Sequence, residues 1–172
     1  GDDLNGSVYE LIGHPKPLSP IKFVMNEPPK SLSAESLSKH PVVFFDGVCN
    51  LCNGTVDFII KSDRKGLMRF ASLQGETAAS AGSLLPLQEE DSKEWSMVFL
   101  DASGAYVRSE GALRLLMNLG GLWSCLGWLG LRFPRFFRDG VYRLIARGRY
   151  KWFGKKESCR LPSPEEEERF LP

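Results

Sequence analysis

Hydrophobic positions first gather in a short unbroken run at residues 42–45 (VVFF), β-branched and aromatic, bounded by Pro41 and an Asp46-Gly47 turn. Such a run predicts a buried strand. Beyond the turn the period changes, with Val56, Ile59, Ile60 and Asp63 at helical intervals until Gly66, which predicts an amphipathic helix. Residues 67–71 (LMRFA) predict a second strand and residues 74–81 a small helix, while residues 84–94, with Pro86 and Glu89-Glu90-Asp91, predict a solvated loop. Residues 96–100 (SMVFL) predict a third strand, Asp101-Ala102-Ser103-Gly104 a hairpin turn and residues 105–108 a fourth strand. Ser109 then opens a helix with Leu113, Leu116 and Met117 on one face. Strand, helix, strand, helix, hairpin, helix describes an α/β domain whose mixed sheet is covered by helices on both faces.

Both flanks break this pattern. Residues 1–40 are rich in proline, serine and glycine and lack sustained periodicity, predicting an extended N-terminal arm whose short apolar patches could lie on the domain or on a partner. After Gly120 the chain becomes strongly apolar (Leu122, Trp123, Leu126, Trp128, Leu129, Phe133, Phe136, Phe137) while a basic series begins at Arg132 and runs to Arg160. The preferred reading is a helical cap over residues 141–150, with its apolar side on the domain and its arginines in water. A membrane-surface element ranks second and a nucleic-acid patch last. Ser163-Pro164 followed by four glutamates predicts a short acidic helix that offsets part of the basic cap.

With 172 residues, 42% of them hydrophobic, the chain suits one domain with appendages. A net charge of +1 gives no global field for nucleic acid. Four cysteines are too few for a disulfide-stapled scaffold of this length. The longest apolar stretch, residues 119–131, falls short of the roughly 20 residues of a spanning helix, so a soluble chain is expected, with peripheral membrane contact left open. Because the sequence starts at Gly1, a processed N-terminus and an organellar setting, mitochondrion or chloroplast, are expected, with the cytoplasm as alternative.

The chemistry concentrates where strand gives way to helix. Cys49 and Cys52 stand at Cys-x-x-Cys spacing in the first turn of the predicted helix, where unpaired backbone N–H groups and the macrodipole favour an anion. A free thiol titrates near about 8.5, and such settings bring it to roughly 3.5–7.5. Cys49, at the mouth, is therefore the candidate nucleophile and Cys52, one turn in, the candidate resolving thiol. A half zinc site is the second reading and two buried structural cysteines the third. Zinc is disfavoured because Cys125 and Cys159 are isolated, and His14 and His40 lie outside the apparent domain.

Asp46-Gly47-Val48-Cys49-Asn50-Leu51-Cys52 resembles the signature of the DCC-type (Asp-Cys-Cys) thiol-disulfide oxidoreductases, a branch of the thioredoxin-like fold. Ser109-Glu110-Gly111-Ala112-Leu113, Gly120-Gly121-Leu122-Trp123, Tyr142, Arg149-Tyr150, Gly154 and Cys159 agree with the family pattern, so the resemblance runs from about residue 41 to 162. It implies a redox role for Cys49 and Cys52 and a supporting one for Asp46. Asp46 has two compatible readings, ordinary Asp-Gly turn chemistry and a carboxylate that accepts the Cys52 proton. Thioredoxins usually place a cis-proline before the third strand; here that stretch reads Glu94-Trp95-Ser96-Met97. Trp95 and Ser96, with Arg108, Ser109 and Glu110 at the start of the later helix, are candidate substrate-binding residues. Glutathione is an optional co-substrate through that helix start, where Arg108 would attract and Glu110 repel its carboxylate. Cys125 is expected in packing and Cys159 at an accessible surface.

The expected organisation is therefore an arm over residues 1–40, a thioredoxin-like domain over 41–120 and an aromatic and basic helical extension with an acidic tail over 121–172. The expected function is disulfide exchange with protein partners, requiring no metal or organic cofactor. The alternative is a non-catalytic thioredoxin-like subunit or assembly factor of a larger complex, bound through the arm and the extension.

Overall fold

A computed structural model describes residues 30–86, 97–155 and 162–172. Much of the expected arm, the greater part of the acidic loop, Trp95, Ser96 and Cys159 lie outside these residues. The sheet has five strands, β1 (Val42–Phe45), β2 (Arg69–Ser72), β3 (Met97–Asp101), β4 (Gly104–Val107) and β5 (Phe170–Leu171), in the order β4-β3-β1-β2-β5. β1 pairs in parallel with β2, as the crossover helix requires, and antiparallel with β3, which pairs antiparallel with β4 through the hairpin. β1 is central and wholly buried, which explains why its apolar run does not alternate. The sheet is mixed and flanked by helices, the thioredoxin-like arrangement expected.

Two apolar clusters sandwich β1. One gathers Val43, Phe45, Phe70 and Phe99 with Val56 and Ile59 of the motif helix α2 (Asn50–Ser62), and it contains both Cys49 and Cys52. The other sets Val42, Phe44, Val98 and Leu100 against Leu32 and Leu37. Leu37 belongs to α1 (Ala34–Lys39), a helix whose N-terminus Ser33 caps by accepting the Ser36 N–H at 3.3 Å. Residues 30–40 were expected in an extended arm; instead two buried leucines tie them to the sheet.

Three smaller differences follow from tertiary contacts. The small helix α3 is Glu76–Ala81, shorter than expected, and α2 ends before Asp63, whose carboxylate instead accepts the Met68 N–H at 2.9 Å and pairs with Arg169 at 2.5 Å. The terminal segment is not an acidic helix. A turn and a single 3₁₀ turn, Glu167–Arg169, lead into β5, and Phe170 packs on Phe45 and Phe70.

After β4 come α4 (Arg108–Leu119), α5 (Gly121–Arg132) and α6 (Arg135–Phe153). Gly111 lets α4 lie against the hairpin, because a Cβ there would stand 2.5 Å from the Tyr106 carbonyl oxygen. Gly111→Ala should cost about 1–3 kcal/mol, the range for overpacking a core contact, read as a lowered urea midpoint with unchanged m-value.

The expected cap is present but turned over. α6 is longer than residues 141–150, and Ala146, Arg149 and Asp139 are its buried side chains while Val141, Leu144 and Ile145 face outward. The apolar side does not pack on the domain. Asp46, buried in the turn after β1, draws Arg149 of α6 inward and so turns this side of the helix to the domain.

Candidate active site

Cys49 is the N-cap of α2 and Cys52 lies in its first turn. Asp46 shapes the approach: its main-chain carbonyl accepts the Cys49 N–H at 3.2 Å, and its Oδ1 accepts the Val48 N–H at 3.2 Å. The Asn53 amide donates to the Gly47 carbonyl at 3.0 Å, locking the turn from inside α2. The Asp-Gly turn chemistry is thus present in full. The carboxylate itself is 4% exposed, and its charge is among those that raise the Cys52 pKa.

Asp46 is held by residues from far along the chain. Its Oδ2 takes a hydrogen bond from Arg149 Nη2 at 3.3 Å and one from the Tyr150 hydroxyl, and Oδ1 accepts from Gln74 Nε2 at 3.3 Å. Arg149 also donates to the Tyr150 oxygen at 2.9 Å, so guanidinium, phenol and carboxylate form one network. Burial opposes the Arg149 charge, but Tyr150, Cys52 and Asp46 hold its pKa above the usual value. The Tyr150 phenol is pushed up by burial and then by its bond to Asp46. Sequence reasoning left Arg149 in a water-facing basic series and gave Tyr150 no chemistry.

The two thiols are in hydrogen-bond contact. Burial first, then that bond and the Cys49 charge, push the Cys52 pKa far above its ordinary value; Asp46 adds to the rise and Arg149 opposes it. Cys52 is therefore a neutral thiol at neutral pH. A raised pKa in the folded state contributes stability below the unfolded value, and that stability is lost as pH climbs toward the folded one. The reduced chain should lose stability with rising pH above about 8.5, the reference for a free thiol. Denaturation midpoints taken across that range should flatten in Cys52→Ala or once the dithiol is oxidised.

Cys49 is 0% exposed, although a nucleophile at a helix mouth is expected to be open. The chain leaving α6 lies beside it: Cys49 bridges Lys155 in antiparallel fashion, the Asn50 N–H reaches the Gly154 carbonyl at 3.4 Å, and Asn50 Nδ2 donates to the Phe153 carbonyl at 2.8 Å. Gly154 can make this turn because it adopts φ +79°. Asn50→Ala removes one tie, worth about 0.5–1.5 kcal/mol. Alkylation of Cys49 by a bulky maleimide should then run roughly 2- to 10-fold faster.

Of the candidate substrate-binding residues, Ser109 and Glu110 have partners within the fold. Ser109 is buried and donates to Asp139 Oδ1, so an internal carboxylate already sits at the start of α4. Ion pairing and the Ser109 bond outweigh the burial that opposes them, holding the Asp139 pKa below the usual carboxylate range. Glu110 pairs with Arg114 at 3.2 Å, and Arg108 begins the helix at φ +56°, a strained value for a residue with a Cβ. Cys125 is exposed rather than packed. No group of three His, Cys, Asp or Glu side chains among the described residues is placed to hold a metal.

The DCC1-like thiol-disulfide oxidoreductase family model matches residues 43–155. The chain is 49% identical over 133 residues to the uncharacterized protein YuxK of Bacillus subtilis, covering 76% of this chain and 93% of that protein. It is 36% identical over 125 residues to the chloroplastic DCC family protein At1g52590 of Arabidopsis thaliana, covering 72% of this chain and 70% of that one. No solved structure matches.

Proposed function

Since the chain belongs to the DCC1-like thiol-disulfide oxidoreductase family, we propose that Cys49 and Cys52 form a working dithiol that exchanges disulfides with protein partners. The observation that carries this reading is the contact between the two thiols at the start of α2, beside a buried carboxylate. Cys49 attacks one sulfur of a partner disulfide; that S–S bond breaks, a mixed disulfide forms and the other partner sulfur leaves as a thiolate. Cys52 gives its proton to Asp46 and attacks the Cys49 sulfur, expelling the second partner thiolate. The protein is left with a Cys49–Cys52 disulfide and the partner has gained two electrons. The reverse sequence oxidises a partner dithiol.

Arg149 and Tyr150 position Asp46 for the proton transfer. No metal or organic cofactor enters these steps. Glutathione is a candidate small thiol for resetting the pair, and Trp95, Ser96, Arg108, Ser109 and Glu110 remain the proposed substrate-facing residues. An organellar setting is also part of the proposal, supported by the chloroplastic designation of the plant relative.

Equilibration in glutathione or dithiothreitol buffers tests the reading, with Cys52→Ser as control. A single two-electron transition lost in that variant is expected; a potential near about −270 mV would indicate a reductant and one near about −120 mV an oxidant. The complete burial of Cys49 favours a second reading, a non-catalytic subunit or assembly factor bound through the N-terminal arm and the C-terminal extension. Failure to form the disulfide at any poise would select it.

A further inference from the structure

The largest unexplained feature is the outer side of α5 and α6. α6 turns Phe137, Val141, Leu144, Ile145 and Trp152 to solvent, each more than two-fifths exposed, and α5 does the same with Leu122, Leu126, Trp128 and Leu129. Phe136 and Phe133, near the joint between the helices, are 70% and 61% exposed. At roughly 100° of rotation per residue, the apolar α6 positions occupy one stripe, and Arg143, Arg147 and Lys151 form a second stripe alongside it. An apolar cleft of about 410 Å³, lined by Leu113, Phe133, Phe137, Val141 and Ile145, opens along the first stripe.

Charge identifies the occupant. α5, α6 and the two residues between them hold seven of the chain's basic side chains, of which Arg149 turns inward to Asp46, and a single acid, although the whole chain is close to neutral at +1. That acid, Asp139, is buried against Ser109 and Arg135 and lends little negative charge to the outer side. A second copy docking symmetrically would set like charges against each other. Aromatic and aliphatic groups beside arginines and lysine instead match the acyl–headgroup boundary of a bilayer carrying anionic lipids. No helix among the described residues is long and apolar enough to cross a membrane, so the contact is interfacial.

We propose that the α5–α6 face docks the protein on anionic membrane surfaces. Phe137, Val141, Leu144 and Trp152 enter the boundary region, while Arg143, Arg147 and Lys151 meet lipid phosphates. Docking would hold the thiol site near membrane-bound partners, but it depends on no thiol chemistry.

The test is co-sedimentation of the full chain with phosphatidylcholine vesicles, with and without phosphatidylglycerol. Binding only to the anionic vesicles is expected, weakening with salt. Arg143→Gln, Arg147→Gln and Lys151→Gln combined should reduce partitioning about 100-fold or more, at about 1 kcal/mol per basic residue near the surface. Phe137→Ser with Leu144→Ser should abolish it. Circular dichroism and Cys49–Cys52 oxidation verify that each variant is folded. A native chain left in the supernatant with anionic vesicles overturns the proposal, whether it then dimerises through this face or captures an acidic amphipathic peptide. Binding unchanged in the charge variant or the apolar variant overturns it as well.

Discussion

Replacing Arg149 with methionine should destabilise the reduced protein by about 3–5 kcal/mol, the range for removing one member of a buried ion pair. Arg149 and Asp46 are 3% and 4% exposed and 3.3 Å apart, so the variant strands a buried carboxylate with a phenol, a side-chain amide and the Val48 N–H as remaining partners. Tyr150 softens the loss by continuing to donate to Oδ2. Chemical denaturation of Arg149→Met, Asp46→Asn and the double variant measures the coupling. The double variant should recover much of the single-variant loss, because it no longer buries a lone charge. Equal and additive losses would mean that Arg149 acts through packing alone.

This pair also explains what could be read from the chain and what could not. β1, α2 and the β3–β4 hairpin were legible because their signals are local: an unbroken apolar run, a period near 3.6 and turn residues at Asp101 and Gly104. Cys49, Cys52 and Asp46 were legible as a motif for the same reason. Arg149 and Tyr150 were legible as part of the family pattern, but their contact with Asp46 was not, since 103 and 104 residues separate them from it and a basic stretch does not say which arginine turns inward. Periodicity sorts α6 into faces but does not say which face meets the domain. A buried carboxylate that needs a cation decides it, and the apolar stripe is left outside. β5 was hidden differently: Phe170 and Leu171 follow an acidic stretch, and their strand exists only because β2 offers a free edge. Leu32 and Leu37 were obscured by the prolines and serines around them.

Asp46→Asn should slow the resolving step by roughly 10²–10³-fold at neutral pH, within the range for loss of a positioned general base. Cys52 is held as a neutral thiol by burial and by its bond to Cys49, so its attack on a mixed disulfide requires a proton acceptor close by. In the proposed role Asp46, a buried carboxylate whose charge adds to the rise in that thiol's pKa, is the acceptor, and Arg149 and Tyr150 hold its Oδ2. The amide keeps the turn, because its oxygen can still accept the Val48 N–H that Oδ1 now receives at 3.2 Å. Turn chemistry alone would therefore leave the kinetics nearly untouched, and Arg149→Met, which breaks the same ion pair but keeps the carboxylate, separates loss of the base from loss of the pair. With a model disulfide peptide, stopped-flow mixing and acid quench should show the mixed disulfide on Cys49 forming at close to the native rate and then accumulating. Raising the pH should restore resolution in the variant, as hydroxide and buffer base replace the missing carboxylate, whereas the native protein should show a flatter profile. Resolution at native speed in Asp46→Asn would reduce Asp46 to a turn residue and leave Cys52 to find its base in solvent.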